Sequence, residues 1–177
     1  MKRVVIASSG ASGADFAQKV IKRLPSSIEV HFIKTSNSDV VADKEHNIIL
    51  HDNADIAASI ASGSFKVDAM MITPCSMNTL AKIACGIADN LVTRAASVMI
   101  KERRTLLLAP REMPFSAIAL ENMLKLSRLG IFIAPPVMAY YSKQERLEEM
   151  EDFVIGKWFD LLGIENDLFA RWKGEKQ

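Results

Sequence analysis

The sequence has little of what covalent frameworks and metal centres require. Only two cysteines, Cys75 and Cys85, and three scattered histidines occur in 177 residues, so neither a disulfide framework nor a zinc site is indicated. The 22 Lys and Arg nearly balance the 21 Asp and Glu, and no overall field favours nucleic acid or an anionic membrane. No apolar run approaches the ~18 to 20 residues of a bilayer span, and the run after Met1 is too short for a secretory signal. We therefore expect a cytoplasmic protein without metal, nucleic-acid partner or membrane span.

What is present is a globular composition arranged in alternating patterns. Apolar residues make up 49% of the chain and charged residues 24%, which excludes a disordered protein. We predict strands at 3–8, 28–33, 68–73, 105–109 and 131–134. We predict helices at 12–24, 37–46, 54–62, 77–85, 89–102, 116–129 and 145–162. The alternation indicates an α/β fold, a three-layer, doubly wound parallel sheet of the Rossmann-like class.

The length suits one domain, 1–177, with a C-terminal docking tail from about 163. In that tail Leu168, Phe169 and Trp172 are spaced as on a helix face. We expect them to dock on a neighbouring subunit or to pack on the core of their own chain.

Ligands of a doubly wound sheet bind outside the carboxyl ends of its strands. The segments that follow the predicted strands are 8–13, 34–36, 74–79, 109–114 and 135–141, and we expect them to share one crevice. In the first, a Gly-x-x-Gly turn at Gly10 and Gly13 opens a helix, so its free N–H groups favour an anion. An ordinary strand-to-helix turn is the alternative, because this spacing is looser than a dinucleotide fingerprint.

The segment after the third predicted strand repeats that logic. Ser76 is placed to cap the next helix, whose N–H groups would then face the crevice. Cys75 has no nearby histidine to activate it, and we expect a buried structural thiol rather than a nucleophile.

Two further segments carry charges that suit a phosphate. Arg94 and Lys101 are seven residues apart, so both can line one face of a helix beside the crevice; a solvated face is the alternative. Arg111 and Glu112 lie between prolines that would fix their loop, or they form a surface ion pair.

Taken together, these segments resemble the UbiX/Pad flavoproteins, which are flavin prenyltransferases. The matching segments follow one order along nearly the whole chain: SGASGA at 9–14, DIAASIASGSF at 55–65, PCSM at 74–77, RAA at 94–96, KERR at 101–104, REMP at 111–114, Pro135 and Pro136 with Tyr141, and DLFARW at 167–172.

The resemblance implies an enzyme that joins the dimethylallyl group of dimethylallyl phosphate to N5 and C6 of reduced FMN. It also implies that prenylated FMN passes to UbiD-type decarboxylases, that no metal is needed, and that the chain forms a homo-oligomer, a dodecamer.

The resemblance further implies roles for particular residues. Those that bind FMN are Gly10, Ala11, Ser12, Thr35, Ser36, Ser76, Met77, Asn78, Thr79 and Arg111. Those that bind the prenyl phosphate are Arg94, Lys101, Glu112, Tyr141, Lys157 and Trp172, the last from a neighbouring chain. Those with catalytic roles are Ser12, Glu45 and Glu112. Of these, Ser12 and Glu45 would order or relay the flavin proton.

The chain departs from the family pattern at three of these positions. Lys157 replaces the usual Arg, so the charge remains but bidentate phosphate contact is lost. Asn78 replaces a common Lys, and Thr35 replaces the usual Ser. The change at Lys157 leaves open whether the donor is a monophosphate or a diphosphate.

Two other functions remain open on the sequence. One is an FMN-dependent cysteine decarboxylase of the related flavoprotein group, since His46 and Pro74–Asn78 resemble parts of that pattern, although the Arg111–Glu112 loop speaks against it. The other is a non-catalytic flavin carrier subunit of an aromatic-acid decarboxylase.

Overall fold

The apolar runs of the sequence form one parallel sheet in the computed structural model, which describes residues 2–10, 14–34, 47–140 and 144–172. Its strands are β1 (Arg3–Ala7), β2 (Glu29–Lys34), β3 (Asn47–Asp52), β4 (Ala69–Cys75), β5 (Thr105–Pro110) and β6 (Phe132–Ile133). Its α-helices are α1 (Ala14–Arg23), α2 (Met77–Ala84), α3 (Leu91–Lys101), α4 (Ala117–Arg128) and α5 (Leu147–Leu161).

The direction in which successive strands are added to the sheet reverses at its middle. The order is β3-β2-β1-β4-β5-β6, and every neighbouring pair is parallel. All seven residues of β4 are buried, as expected for a strand covered on both faces. The topological switch point, where ligands bind in such sheets, therefore lies between the carboxyl ends of β1 and β4.

Helices cover both faces of the sheet. Val4 and Ile6 of β1 belong to the core cluster beneath α1 and α5. Val5 and Ala7 face the opposite way, into the cluster formed with α2 and α3, because successive strand residues alternate between faces. The predicted three-layer, doubly wound α/β fold is confirmed.

Two parts of the sequence prediction were wrong. The strand β3 was not predicted, because this edge strand is largely exposed and its apolar run, Ile48 to Leu50, is only three residues long. The predicted helix at 54–62 contains only a 3₁₀ turn at Ser59–Ala61. Carboxylates compete with helix formation there: Asp52 accepts from Ala54 N–H at 2.9 Å and Asp55 from Ala57 N–H at 3.1 Å. The helix predicted at 37–46 lies outside the described residues.

The C-terminal segment folds back along α5. Leu168 packs against the core cluster beneath that helix, and the ring of Phe169 meets that of Phe153 with centroids 4.9 Å apart. The segment thus packs on its own chain as far as Arg171, which pairs with Asp160, whereas Trp172 is 81% exposed. No helix among the described residues has both the length and the apolar character needed to cross a membrane.

Candidate active site

Hydrogen bonds join the turns after β1 and β4 at the switch point. The N–H of Ser9 donates to the carbonyl of Pro74 at 2.9 Å. In return, the N–H of Ser76 donates to Ser9 Oγ at 3.0 Å. Two segments that are 65 residues apart in the chain therefore form one rigid wall of the crevice.

Gly10 is required where this wall turns. Its φ is +110°, a conformation that residues with a side chain rarely adopt. An added Cβ would lie 3.5 Å from the Cβ of Ser76, an ordinary van der Waals contact, so it is the backbone conformation that requires glycine. The turn thus brings bare backbone to the crevice, as the approach of a flat ring system requires.

Ser76 caps α2, as predicted. Its Oγ accepts from the N–H of Thr79 at 3.2 Å and donates to Thr79 Oγ1 at 3.1 Å. The Ser76 N–H itself donates to Ser9 Oγ and is not available to a ligand. The first-turn N–H groups, those of Met77 and Asn78, have no intrahelical acceptor and are the donors left for a ligand.

Ser8 begins the predicted crevice segment 8–13 but was not among the residues predicted to bind FMN. It is fully buried at the end of β1, and its Oγ has no hydrogen-bond partner among the described residues. A buried hydroxyl without a hydrogen-bond partner costs folding free energy. A bound ligand whose polar group forms a hydrogen bond with it would account for such a hydroxyl. With the bare backbone at Gly10, this hydroxyl fits a cofactor such as FMN, which combines a flat ring with polar edges.

An apolar cavity of about 60 Å³ adjoins the crevice at the ends of β4 and β5. Trp158 forms one wall, and its Nε1–H donates to the Ala134 carbonyl at 3.0 Å. Phe16 packs edge-on against Trp158 with ring centroids 5.4 Å apart. Among the described residues of the lining, Arg111 is the one that carries a charge, so this cavity offers apolar surface next to a cation. Phe16 and Trp158 were predicted only as helix residues.

Arg111 and Glu112 are both exposed on the loop after β5. Glu112 lines a groove of about 300 Å³ between α2 and the start of α4, together with Met77. Its Oε1 accepts from the N–H of Met113 at 3.2 Å. Both charged side chains of the loop are therefore exposed, and Glu112 lies beside Met77, one of the predicted FMN contacts.

The cations of α3 do not meet at this crevice within one chain. The helix begins beside Asn53, whose carbonyl accepts from Leu91 N–H at 2.9 Å just after β3 ends. It runs back along the sheet, so Arg94 lies near the carboxyl edge and Lys101 near the opposite edge, about 10 Å further along the axis. There Lys101 pairs with Glu102 at 3.0 Å. Within one chain, Lys101 therefore lies away from the Ser76 end of the sheet. Both cations are exposed, and their role in binding the prenyl phosphate stays a prediction.

The remaining predicted residues divide into two groups. Lys157, on α5, and Trp172 are exposed, and Lys157 Nζ lies 4.0 Å from Asp160 Oδ2. The other residues lie outside the described part of the chain: Ala11, Ser12, Thr35, Ser36, Glu45 and Tyr141.

Cys75 is confirmed as a buried thiol. Its surroundings raise the pKa of the thiol to about 12, because burial disfavours the thiolate and outweighs a hydrogen bond from Ser9. A nucleophilic role is therefore excluded at neutral pH. In the described residues, no group of three His, Cys, Asp or Glu side chains is placed to hold a metal.

Similarity to known proteins indicates which class of ligand this crevice binds. Residues 1–158 match the Flavoprotein family. A flavin prenyltransferase UbiX from Helicobacter pylori (strain ATCC 700392 / 26695) is 50% identical over 183 residues, which cover 96% of this chain and 98% of that protein. The chain belongs to the UbiX family of flavin prenyltransferases.

Solved structures of the UbiX family share the whole architecture. AnUbiX, in complex with FMN and dimethylallyl pyrophosphate, is 38% identical with a TM-score of 0.88 over 99% of both chains. A dodecameric FMN-dependent UbiX-like decarboxylase from Escherichia coli O157:H7 is 38% identical, with a TM-score of 0.89 over 97% of this chain and 100% of that one. The similarity therefore includes every described strand and helix that forms the crevice.

Proposed function

We propose that this chain is a flavin prenyltransferase, which joins the dimethylallyl group of dimethylallyl phosphate to N5 and C6 of reduced FMN. The observation that carries the proposal is the match, over nearly both full lengths, to a relative that binds FMN and dimethylallyl pyrophosphate. The joined turns at Ser9 and Ser76, with the orphaned hydroxyl of Ser8, support a flavin at the switch point.

FMN, when bound in its reduced form, supplies the two ring atoms that become prenylated. The chain must then stabilise the negative charge that the phosphate gains as the allylic C–O bond breaks. We assign that role to Arg94, Lys101 and Lys157, three exposed cations. Ser12, Glu45 and Glu112 would order or accept the proton released from the flavin, with the departing phosphate as a further base.

The remaining contacts would bind and enclose the two substrates. Gly10 to Ser12, Thr35, Ser36 and Arg111 would hold FMN together with the start of α2, where the residues are Ser76, Met77, Asn78 and Thr79. Tyr141 and the exposed Trp172 would enclose the allylic group, since aromatic faces stabilise a developing cation away from water.

We propose further that the prenyl phosphate site is shared between chains of a dodecamer. The position of Lys101, at the sheet edge opposite Ser76, supports a contribution to another chain's crevice, and one relative is dodecameric. The whole chain would act as one flavin-binding domain, whose tail from about 163 presents Trp172 to a neighbour.

Mixing two inactive variants tests the shared site. Lys101→Ala and Arg111→Ala remove residues that one chain holds far apart, so assemblies refolded from both should contain crevices with neither change. We expect partial recovery of activity in the mixture and none in either variant alone. A mixture of Lys101→Ala with Glu112→Ala provides a second pairing, and no recovery in both mixtures would contradict a shared site.

Phosphate release distinguishes the three candidate functions. A prenyltransferase releases inorganic phosphate from dimethylallyl phosphate only when reduced FMN is present. A cysteine decarboxylase would instead form an aminoenethiol from a cysteinyl substrate, and a flavin carrier would bind FMN without either reaction. Flavin-dependent phosphate release without aminoenethiol supports the proposal, and either other pattern overturns it.

The product's destination is part of the same proposal. Prenylated FMN would pass to a UbiD-type decarboxylase, and the transfer would take place in the cytoplasm. Loading an apo-decarboxylase of that type with the reaction product, followed by its decarboxylation assay, tests this step.

A further inference from the structure

Asp160, near the end of α5, is held by the C-terminal segment through both of its oxygens. Arg171 donates from Nη1 to Oδ2 and from Nη2 to Oδ1, each at 2.8 Å. Asn166 Nδ2 adds a contact to Oδ1 at 3.1 Å and another to the Gly156 carbonyl at 3.3 Å. This two-point geometry is one that a guanidinium forms and an ammonium does not.

The same carboxylate lies one turn away from Lys157. Residues three apart on a helix face each other, and a lysine there ordinarily pairs with an aspartate. Here Lys157 Nζ forms only a long ion pair with Asp160 Oδ2, at 4.0 Å, and this distance is beyond that of a hydrogen bond. The hydrogen bond from Arg171 holds the pKa of the Asp160 carboxyl below its usual range, so the carboxylate is fully charged where it could pair with Lys157. The carboxylate that could capture Lys157 is thus already occupied.

Packing fixes the arginine in this position. The ring of Phe169 lies against Gly156, where an added Cβ would come within 2.5 Å of it. Arg171 in turn covers that ring, with Cζ 5.0 Å from the centroid. Trp172 is the next residue, so the pairing of Arg171 with Asp160 also fixes the position from which the exposed indole of Trp172 extends.

We propose that Arg171 is a positioning residue: it saturates Asp160 and so keeps the Lys157 ammonium available for the phosphate of the prenyl donor. The inference rests on the proposed function, in which Lys157 binds that phosphate. It adds two residues, Arg171 and Asp160, that act on the donor through Lys157 without touching it.

A double substitution separates this electrostatic role from simple docking of the tail. In Arg171→Gln, Asp160 is left to pair with Lys157, and we expect the KM for dimethylallyl phosphate to rise roughly two- to five-fold, the scale of an exposed ion pair. In Arg171→Gln with Asp160→Asn, no carboxylate competes for Lys157, and the KM should return towards that of the unchanged protein. If the tail contact alone mattered, the double variant would be as impaired as the single one.

Binding gives a readout that does not depend on turnover. Calorimetry with dimethylallyl phosphate and the FMN complex should show the same order of Kd values, with the FMN affinity unchanged throughout. In a Lys157→Gln background, Arg171→Gln should no longer affect the Kd. A persistent effect there, or a double variant without recovery, overturns the inference.

The chain supplies a matched control on the same helix. Asp152 pairs with Arg23, and its side chain is 28% exposed, against 27% for Asp160. Arg23→Gln removes an equivalent arginine but leaves Lys157 unaffected, so donor KM and Kd should not change. If the unchanged protein shows no flavin-dependent phosphate release, the proposed function fails. If it releases phosphate but the double variant does not recover, only the inference about Arg171 fails.

Discussion

Replacing Ser9 with alanine tests whether the two turns at the switch point form one unit. Ser9 is 7% exposed, and its Oγ is the acceptor for the N–H of Ser76 at 3.0 Å. Ser9→Ala removes that acceptor without adding volume. The Ser76 N–H then loses its partner at the point where α2 begins.

The expected magnitude follows from that single lost bond. Leaving a buried donor unsatisfied costs about 1–3 kcal/mol, and because Ser76 is only half-buried we take about 1–2 kcal/mol. For a chain of this length, that loss lowers the Tm by roughly 3–6 °C. If the turns also separate and the whole loss falls on the bound state, the FMN affinity falls by about five- to thirtyfold, since each 1.4 kcal/mol is a factor of ten.

Thermal unfolding and FMN titration measure the two effects, both at one fixed subunit concentration because assembly contributes to apparent stability. Ser116→Ala is the control. It removes the cap of α4, where Ser116 Oγ accepts from Ala119 N–H at 3.2 Å, so it should cost about 1 kcal/mol of stability without changing the FMN affinity. If Ser9→Ala matched the unchanged protein in both measurements, the two turns would not depend on this bond.

Three further predictions concern titration, thiol access and the C-terminal segment. Burial lowers the pKa of His51 below 6.5, so the unfolded chain binds a proton that the folded chain does not. The free energy of unfolding should therefore be highest above about pH 7.5 and decline as the pH falls through 6.5. Urea unfolding of His51→Gln should show a weaker dependence on pH, and an unchanged dependence would refute the assignment to His51. A thiol reagent at pH 8 should label the exposed Cys85 at once and Cys75 only after denaturation, and rapid labelling of two thiols would contradict the burial of Cys75. Gly156→Ala should displace Phe169 and cost about 1–3 kcal/mol in the same unfolding assay; wild-type stability would show that this contact is not tight.

The sequence predicted the buried elements of the fold and missed those whose structure depends on neighbours. Strands such as β4 have continuous apolar runs, because both of their faces are covered. The edge strand β3 has a run of only three apolar residues, Ile48 to Leu50, and much of the strand is exposed. The turns after β3 depend on the side chains of Asp52 and Asp55, which accept hydrogen bonds from backbone N–H groups. These bonds compete with the helix that the apolar pattern of residues 54–62 predicted.

The sequence predicted which segments form the candidate site, but not how their residues are arranged in space. Glycine and serine turns after strands identified the crevice, and the family resemblance supplied roles for single residues. The bond from Ser76 to Ser9 spans 67 positions, and no local pattern encodes it. The separation of Lys101 from the crevice follows from the direction of α3 relative to the sheet, which spacing along one helix does not reveal.

The mass of the recovered flavin tests the central claim most directly. Purified protein is incubated without oxygen with reduced FMN and dimethylallyl phosphate, and the flavin is extracted and weighed by mass spectrometry. We expect a flavin that is heavier by one prenyl unit and that forms only when protein and donor are both present. Recovery of FMN at its original mass, from protein shown to bind it and with the donor intact, would contradict prenyl transfer by this chain.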